Sequence, residues 1–204
     1  MRVRPDNRNL FRQAFVDSLP VLMGYSTMGF VGGVLLAAKG NILLAPLWAF
    51  LTGALWVTGT MNFAFVPLVA AREPLISLVI LTLAVNFRYA FYGFSMLARW
   101  QGIPLLQKCY LILMLTDENY ALEAASPIAD SNLHRRYCLY LSVLNHSYWI
   151  LGLTAGAAAV ALLGYVLDPD TIRGYTNGME FAMVALFLVI FTDQMRNFIK
   201  NGAR

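Results

Sequence analysis

Arg88 lies in the string Asn86-Phe87-Arg88-Tyr89-Ala90-Phe91-Tyr92-Gly93, near the centre of the apolar run Leu75–Leu97, where a charge is hardest to place. A guanidinium at the centre of a bilayer costs roughly 3 kcal/mol on insertion scales. It persists only when it faces protein or water, and there it usually serves a solute or ion pathway. Two other polar groups share this setting. Gly59-Thr60-Met61-Asn62-Phe63 sets a glycine that can free the local backbone beside an amide that both donates and accepts, and Thr116-Asp117-Glu118-Asn119 supplies two carboxylates. Asn86 and Arg88 fall about 200° apart on a regular helix, because each residue turns about 100°, so they do not share a face.

Both charge signs and several amides are thus available inside apolar segments. A zwitterionic amino acid needs such a set: a cation for its carboxylate, an acceptor for its ammonium and an apolar pocket for its side chain. Arg88 suits the first role, and Asp117 or Glu118 suits the second or carries protons instead. Phe63, Phe65, Phe91 and Tyr92 are candidates for the pocket wall. Structural readings compete with these. Arg88 could form a fixed ion pair with Asp117 or Glu118, those acids could sit at a solvated helix end, and Asn62 and Asn86 could bridge helices.

The elements that must position these groups are membrane spans. Of 204 residues, 59% are hydrophobic and 13% charged, and the mean hydropathy is +0.60, beyond what a soluble globular domain reaches. Apolar runs recur along the whole chain, which predicts one integral membrane domain over 1–204. Its fold class is an all-α polytopic membrane protein of about six transmembrane helices, some broken or Gly/Pro-interrupted. The spans are expected near 18–38, 43–70, 75–97, 105–125, 139–167 and 177–195, between an N-terminal segment 1–17 and a tail 196–204. The fourth is short and runs into Thr116–Asn119, so it reads either as a plain span or as a re-entrant or broken helix.

Basic residues orient the chain. Six crossings put ten basic residues inside (Arg2, Arg4, Arg8, Arg12, Arg72, Arg135, Arg136, Arg196, Lys200, Arg204) and four outside (Lys39, Arg99, Lys108, Arg173). Loss of the fourth crossing alone reverses that bias, so six spans with both ends cytoplasmic are expected. The net charge of +4 is dispersed, which argues against nucleic acid as a partner. The basic start followed by an apolar stretch reads as an uncleaved first span rather than a signal peptide. Asp17-Ser18 is expected to cap that helix, with Pro20 in its first turn.

Cys109 and Cys138 are expected as free thiols, His134 is expected in a connection beside Arg135 and Arg136, and no motif implies a metal or other cofactor. Trp48, Trp56, Trp100 and Trp149 read as interface anchors or core. Gly29/Gly33 and Gly152/Gly156 fit GxxxG and are available for helix contacts. The paired glycines and the aromatics Tyr25 and Tyr148 in the first and fifth spans leave an inverted repeat open.

Four motifs agree in order and spacing: Asp17-Ser18-Leu19-Pro20 with its Gly-rich span, Gly59–Phe63, Asn86–Gly93 and Leu115-Thr116-Asp117-Glu118. Over roughly residues 10–195 the chain resembles AzlC-type proteins, the large subunits of branched-chain amino acid exporters. The resemblance implies export of branched-chain amino acids across a bacterial inner membrane. With no nucleophile, metal or P-loop motif, a non-enzymatic, gradient-driven secondary transporter of branched-chain or similar small neutral amino acids is expected. The resemblance also implies a small AzlD-type membrane subunit as partner. That partner is expected to pack on an exposed small-residue face, for which Gly29/Gly33 and Gly152/Gly156 are the available candidates. The family commonly has Gly-Ala-Ser-Gln-Phe where this chain has Gly59–Phe63, and its members usually extend further at the C-terminal end. The rival readings are a non-transporting structural membrane subunit and a passive small-solute channel.

Overall fold

The computed structural model describes residues 7–55 and 59–181, together with positions 184, 185, 188, 189, 192, 195 and 196. Eight α-helices occur among the described residues: α1 Asn7–Lys39, α2 Ala45–Leu55, α3 Gly59–Ala70, α4 Leu75–Met96, α5 Leu105–Leu113, α6 Asp117–Ala125, α7 Ser131–Leu163 and α8 Pro169–Thr176. A 3₁₀ turn follows at Met179–Phe181. α1, α4 and α7 are long and apolar enough to cross a membrane. At about 1.5 Å per residue, α1 and α7 are each about 50 Å long and overshoot a hydrocarbon core of about 30 Å.

α1 and α7 run parallel and form the spine. Leu10 and Ala14 pack with Tyr137, Cys138 and Leu141 at one end, and Val34, Leu35 and Ala38 pack with Leu153, Ala157 and Val160 at the other. Between them the helix backbones touch. A Cβ on Gly29 would lie 3.2 Å from Gly152 Cα, and one on Gly33 or Gly156 would run into the carbonyl of Leu153 or Phe30. Both GxxxG faces are therefore used inside the chain and are not the partner surface the sequence suggested; each supplies the close approach the other needs.

The start of α1 also differs from expectation. The helix begins before Asp17 and runs through Pro20, so Asp17 and Ser18 are not its cap. They bind α1 to α7 instead: Tyr137 donates to Asp17 Oδ2 at 2.9 Å. Ser18 Oγ donates to the Phe15 carbonyl at 2.9 Å and lies 3.1 Å from the Tyr148 hydroxyl. α7 likewise starts at Ser131, capped by Asp130, which places His134 on a helix, buried, rather than in a connection.

α4 opposes the spine. Its C-terminal Met96 and the following Trp100 join Leu10, Ala14 and Tyr137, so Leu75 lies on the side where α1 ends. α2 descends from that side, with Ala45 and Ala49 beside Ala157 and Val160. Gly53 reaches only the middle of α7, at Ile150. α3 climbs back, with Phe63 in the same upper cluster, to a turn in which Arg72 takes a φ of 56° before α4. From the other side α5 rises to Tyr110 beside His146, and α6 returns to Arg99, which donates to the carbonyls of Glu123 and Ala124 at 2.9 and 3.1 Å.

Segments 43–70 and 105–125 are thus paired half-helices that dip to mid-depth from opposite sides, rather than crossings. The segment 177–195, expected as a sixth span, lies largely outside the described residues. α8 closes the end of α1, with Arg173 donating to the Ala38 carbonyl at 3.3 Å. Its cap Asp168 accepts from the Thr171 hydroxyl and amide, which hold its carboxylate below the usual range.

Because the spine contact is backbone against backbone, overpacking there cannot be relieved by a rotamer change. Gly156→Leu should destabilise detergent-purified protein by at least about 3 kcal/mol, the upper end for overpacked cores. Gly24→Ala, which meets nothing within 4 Å, should stay within about 0.5 kcal/mol of wild type. Equal thermal unfolding of the two variants would remove the spine contact from this description.

Candidate functional site

The break between α5 and α6 sits at mid-depth, beside Tyr25 in the middle of α1 and Asn145 in the middle of α7. Thr116 caps α6, accepting from the Asn119 amide at 3.4 Å. Asn119 turns back to donate to the Met114 carbonyl, which also accepts from the Thr116 amide at 2.8 Å, and its own side-chain oxygen accepts from Asn145 Nδ2. Asn119 and Asn145 are 2% and 1% exposed. At that depth each must find its partner within the protein.

On its other flank the break carries the charges. Arg88 Nη1 lies 2.7 Å from Asp117 Oδ2, each side chain about one-third exposed. Asp117 and Glu118 open the first turn of α6, where the helix dipole favours anions. Tyr25 donates to Glu118 Oε2 at 2.8 Å and lies 2.8 Å from Thr116 Oγ1. Since its one hydroxyl proton goes to the carboxylate, Thr116 donates to it. Tyr92, one turn beyond Arg88, stacks on Tyr120 with centroids 4.4 Å apart and planes 6° apart. Arg88 also reaches the Tyr89 hydroxyl at 3.4 Å.

Arg88 Nε and Asp117 Oδ1 are enclosed yet have no protein hydrogen-bond partner, and Asn86 Oδ1 is a third such atom. The ion pair therefore leaves one donor and one acceptor open beside the break, which is what a ligand carrying both an anionic and a cationic group can use. Among the described residues no cluster of three or more His, Cys, Asp or Glu side chains is gathered as a metal would need.

The sequence candidates divide accordingly. Arg88, Tyr92, Asp117 and Glu118 come together. Gly59 opens α3, Asn62 is buried in its first turn, and Phe63 packs against Gly32 in the spine cluster, not against Arg88. Asn86 lies on another face of α4. Phe91 is 61% exposed and packs edge-on with Phe87. Sequence reasoning missed Tyr25, Tyr120 and Asn145 as contributors. Asn145 carried a signal, an amide on an otherwise apolar face, whereas the tyrosines carried none.

The AzlC protein family matches residues 20–163. A membrane protein of Haemophilus influenzae is 35% identical over 89% of this chain and 70% of its own length. One from Helicobacter pylori strain 26695 is 33% identical over 91% and 76%. The branched-chain amino acid transport protein AzlC of Bacillus subtilis is 31% identical over 90% and 67%. No solved structure matches.

The Arg88–Asp117 contact can be tested by a double-mutant cycle. Arg88→Ala and Asp117→Ala should each destabilise the purified protein, while the double variant should lose less than their sum, with a coupling of about 1–3 kcal/mol. Additive losses would show that the two charges do not interact.

Proposed function

Because the chain belongs to the AzlC family of transport-associated membrane proteins, we propose that it is the membrane subunit of a secondary transporter. Its proposed cargo is branched-chain or similarly small neutral amino acids, its direction is export, and its energy comes from an ion or proton gradient. One observation carries this reading: an ion pair at mid-depth, beside a helix break, with Arg88 Nε and Asp117 Oδ1 both open. A substrate carboxylate takes the guanidinium edge, and its ammonium takes the free carboxylate oxygen. The broken helix presents them at the depth where transporters bind their cargo. Neither group is arranged as a nucleophile with a base, which supports a non-enzymatic role.

The half-helix pairs change the orientation argument and keep its direction. Arg12, Arg99, Lys108, Arg135 and Arg136 fall on the side where α1 and α7 begin, and Lys39, Arg72 and Arg173 fall on the opposite side. That distribution supports a cytoplasmic N-terminal side in a bacterial inner membrane. The C-terminal tail is assigned to that same side. A small AzlD-type subunit completes the assembly, docked on a surface other than the glycine faces.

Membrane vesicles containing the chain, with and without its small subunit, should move radiolabelled leucine, valine or methionine, and Arg88→Lys should cut that flux. Lysine keeps the charge but loses the planar fork that serves Asp117 and a carboxylate together. Vesicles that move none of the three amino acids above empty-membrane background in either composition would refute the reading.

A further inference from the structure

Near the far end of α6 from the ion pair sits Glu123, fully buried. Its Oε1 accepts from the Ser142 hydroxyl at 3.4 Å, and its Oε2 meets no hydrogen-bond partner. Tyr137 and Cys138 lie close to it, and both belong to the apolar cluster of Trp100, Leu111, Leu115 and Leu141. Arg99, close by, spends its guanidinium on the backbone carbonyls of Glu123 and Ala124. Glu123 also lies in the last turn of α6, where the helix dipole opposes negative charge. An ionised carboxylate here would be buried, met only by the Ser142 hydroxyl and the Cys138 thiol and without a cation partner, which is the arrangement proteins avoid by keeping the acid neutral.

Other titratable and charged groups face this site from each packed element. α7 contributes Cys138, Tyr137 and His134, whose Nε2 lies 3.5 Å from Cys138 Sγ. The segment after α4 contributes Arg99, and α1 contributes Asp17, already engaged by Tyr137. None of them forms an ion pair with the Glu123 carboxyl.

Resting on the transporter reading above, we propose that Glu123 carries the coupling proton. The carboxyl O–H bond is intact in the conformation seen here. When α6 shifts and the group meets water, that bond breaks, the proton leaves to water on that side, and the electron pair stays on the carboxylate. One proton is taken up from water again before the site closes. α6 is nine residues long, about 13 Å, with the Arg88–Asp117 pair and the Tyr25–Glu118 bond at one end and Glu123 near the other. Substrate at the pair and protonation at Glu123 therefore act on one rigid rod, which gives the linkage a coupled carrier requires.

Infrared spectroscopy of the purified chain and leucine flux in vesicles with the small subunit test this together. Wild-type protein should show a protonated-carboxyl band at neutral pH that Glu123→Gln removes. In vesicles Glu123→Gln should keep leucine counterflow and lose leucine movement driven by an imposed pH gradient, while Glu123→Asp keeps both with a displaced pH profile. Gradient-driven movement that survives Glu123→Gln, or a neutral-pH spectrum without the band, overturns the proposal. Absence of leucine counterflow in wild type would fail the transporter reading instead, and the band would still report whether Glu123 holds a proton. Should Glu123→Gln not fold, Glu123→Asp and the wild-type band decide: an unmoved pH profile or a missing band overturns it.

Discussion

A helix that stops halfway through a membrane leaves backbone groups where no lipid can pair with them, and each orphan costs several kcal/mol. The break at Met114–Thr116 is held by Asn119, which joins the Thr116 amide on the Met114 carbonyl and is itself held by Asn145 from α7. Everything polar at mid-depth follows from that latch. It fixes the start of α6, which points Asp117 at Arg88 and Glu118 at Tyr25. The latch in turn depends on α1 and α7 lying close enough for Tyr25 and Asn145 to approach one break from two helices. The glycines at 29, 33, 152 and 156 permit that approach.

Two half-helix pairs entering from opposite sides give the molecule a centre with polar ends and unpaired atoms, enclosed by three helices able to span. α6 carries two polar regions. Its first turn holds the charged pair and its last turn holds a buried acid, so a rigid movement of this one short helix changes both.

Much of this was legible in the sequence. Arg88 in an apolar run demanded a counter-charge, and chain order offered Asp117 and Glu118; the pair forms with the first of them. The interruption at Thr116 was visible as polar residues cutting a short apolar core. The return of 43–70 to its own side was not visible, because apolar periodicity reads the same for one crossing and for two half-helices folded back. Pro20 and Ser18 read as a helix start, since local propensity cannot see Tyr148 waiting on a helix far along the chain. Glu123 went unnoticed for the same reason: on its own helix it is an ordinary glutamate, and only Ser142, Cys138 and Trp100 make it a buried one.

The central claim is that the break beside Arg88 opens to water and substrate. Reaction of Glu118→Cys, in a Cys109→Ser background, with a membrane-impermeant thiol reagent measures this directly in native membranes. Rapid labelling that leucine slows is the result predicted here. A thiol that stays unreactive in the folded protein, yet labels fully once the protein is denatured, would show a dry, closed packing and contradict it.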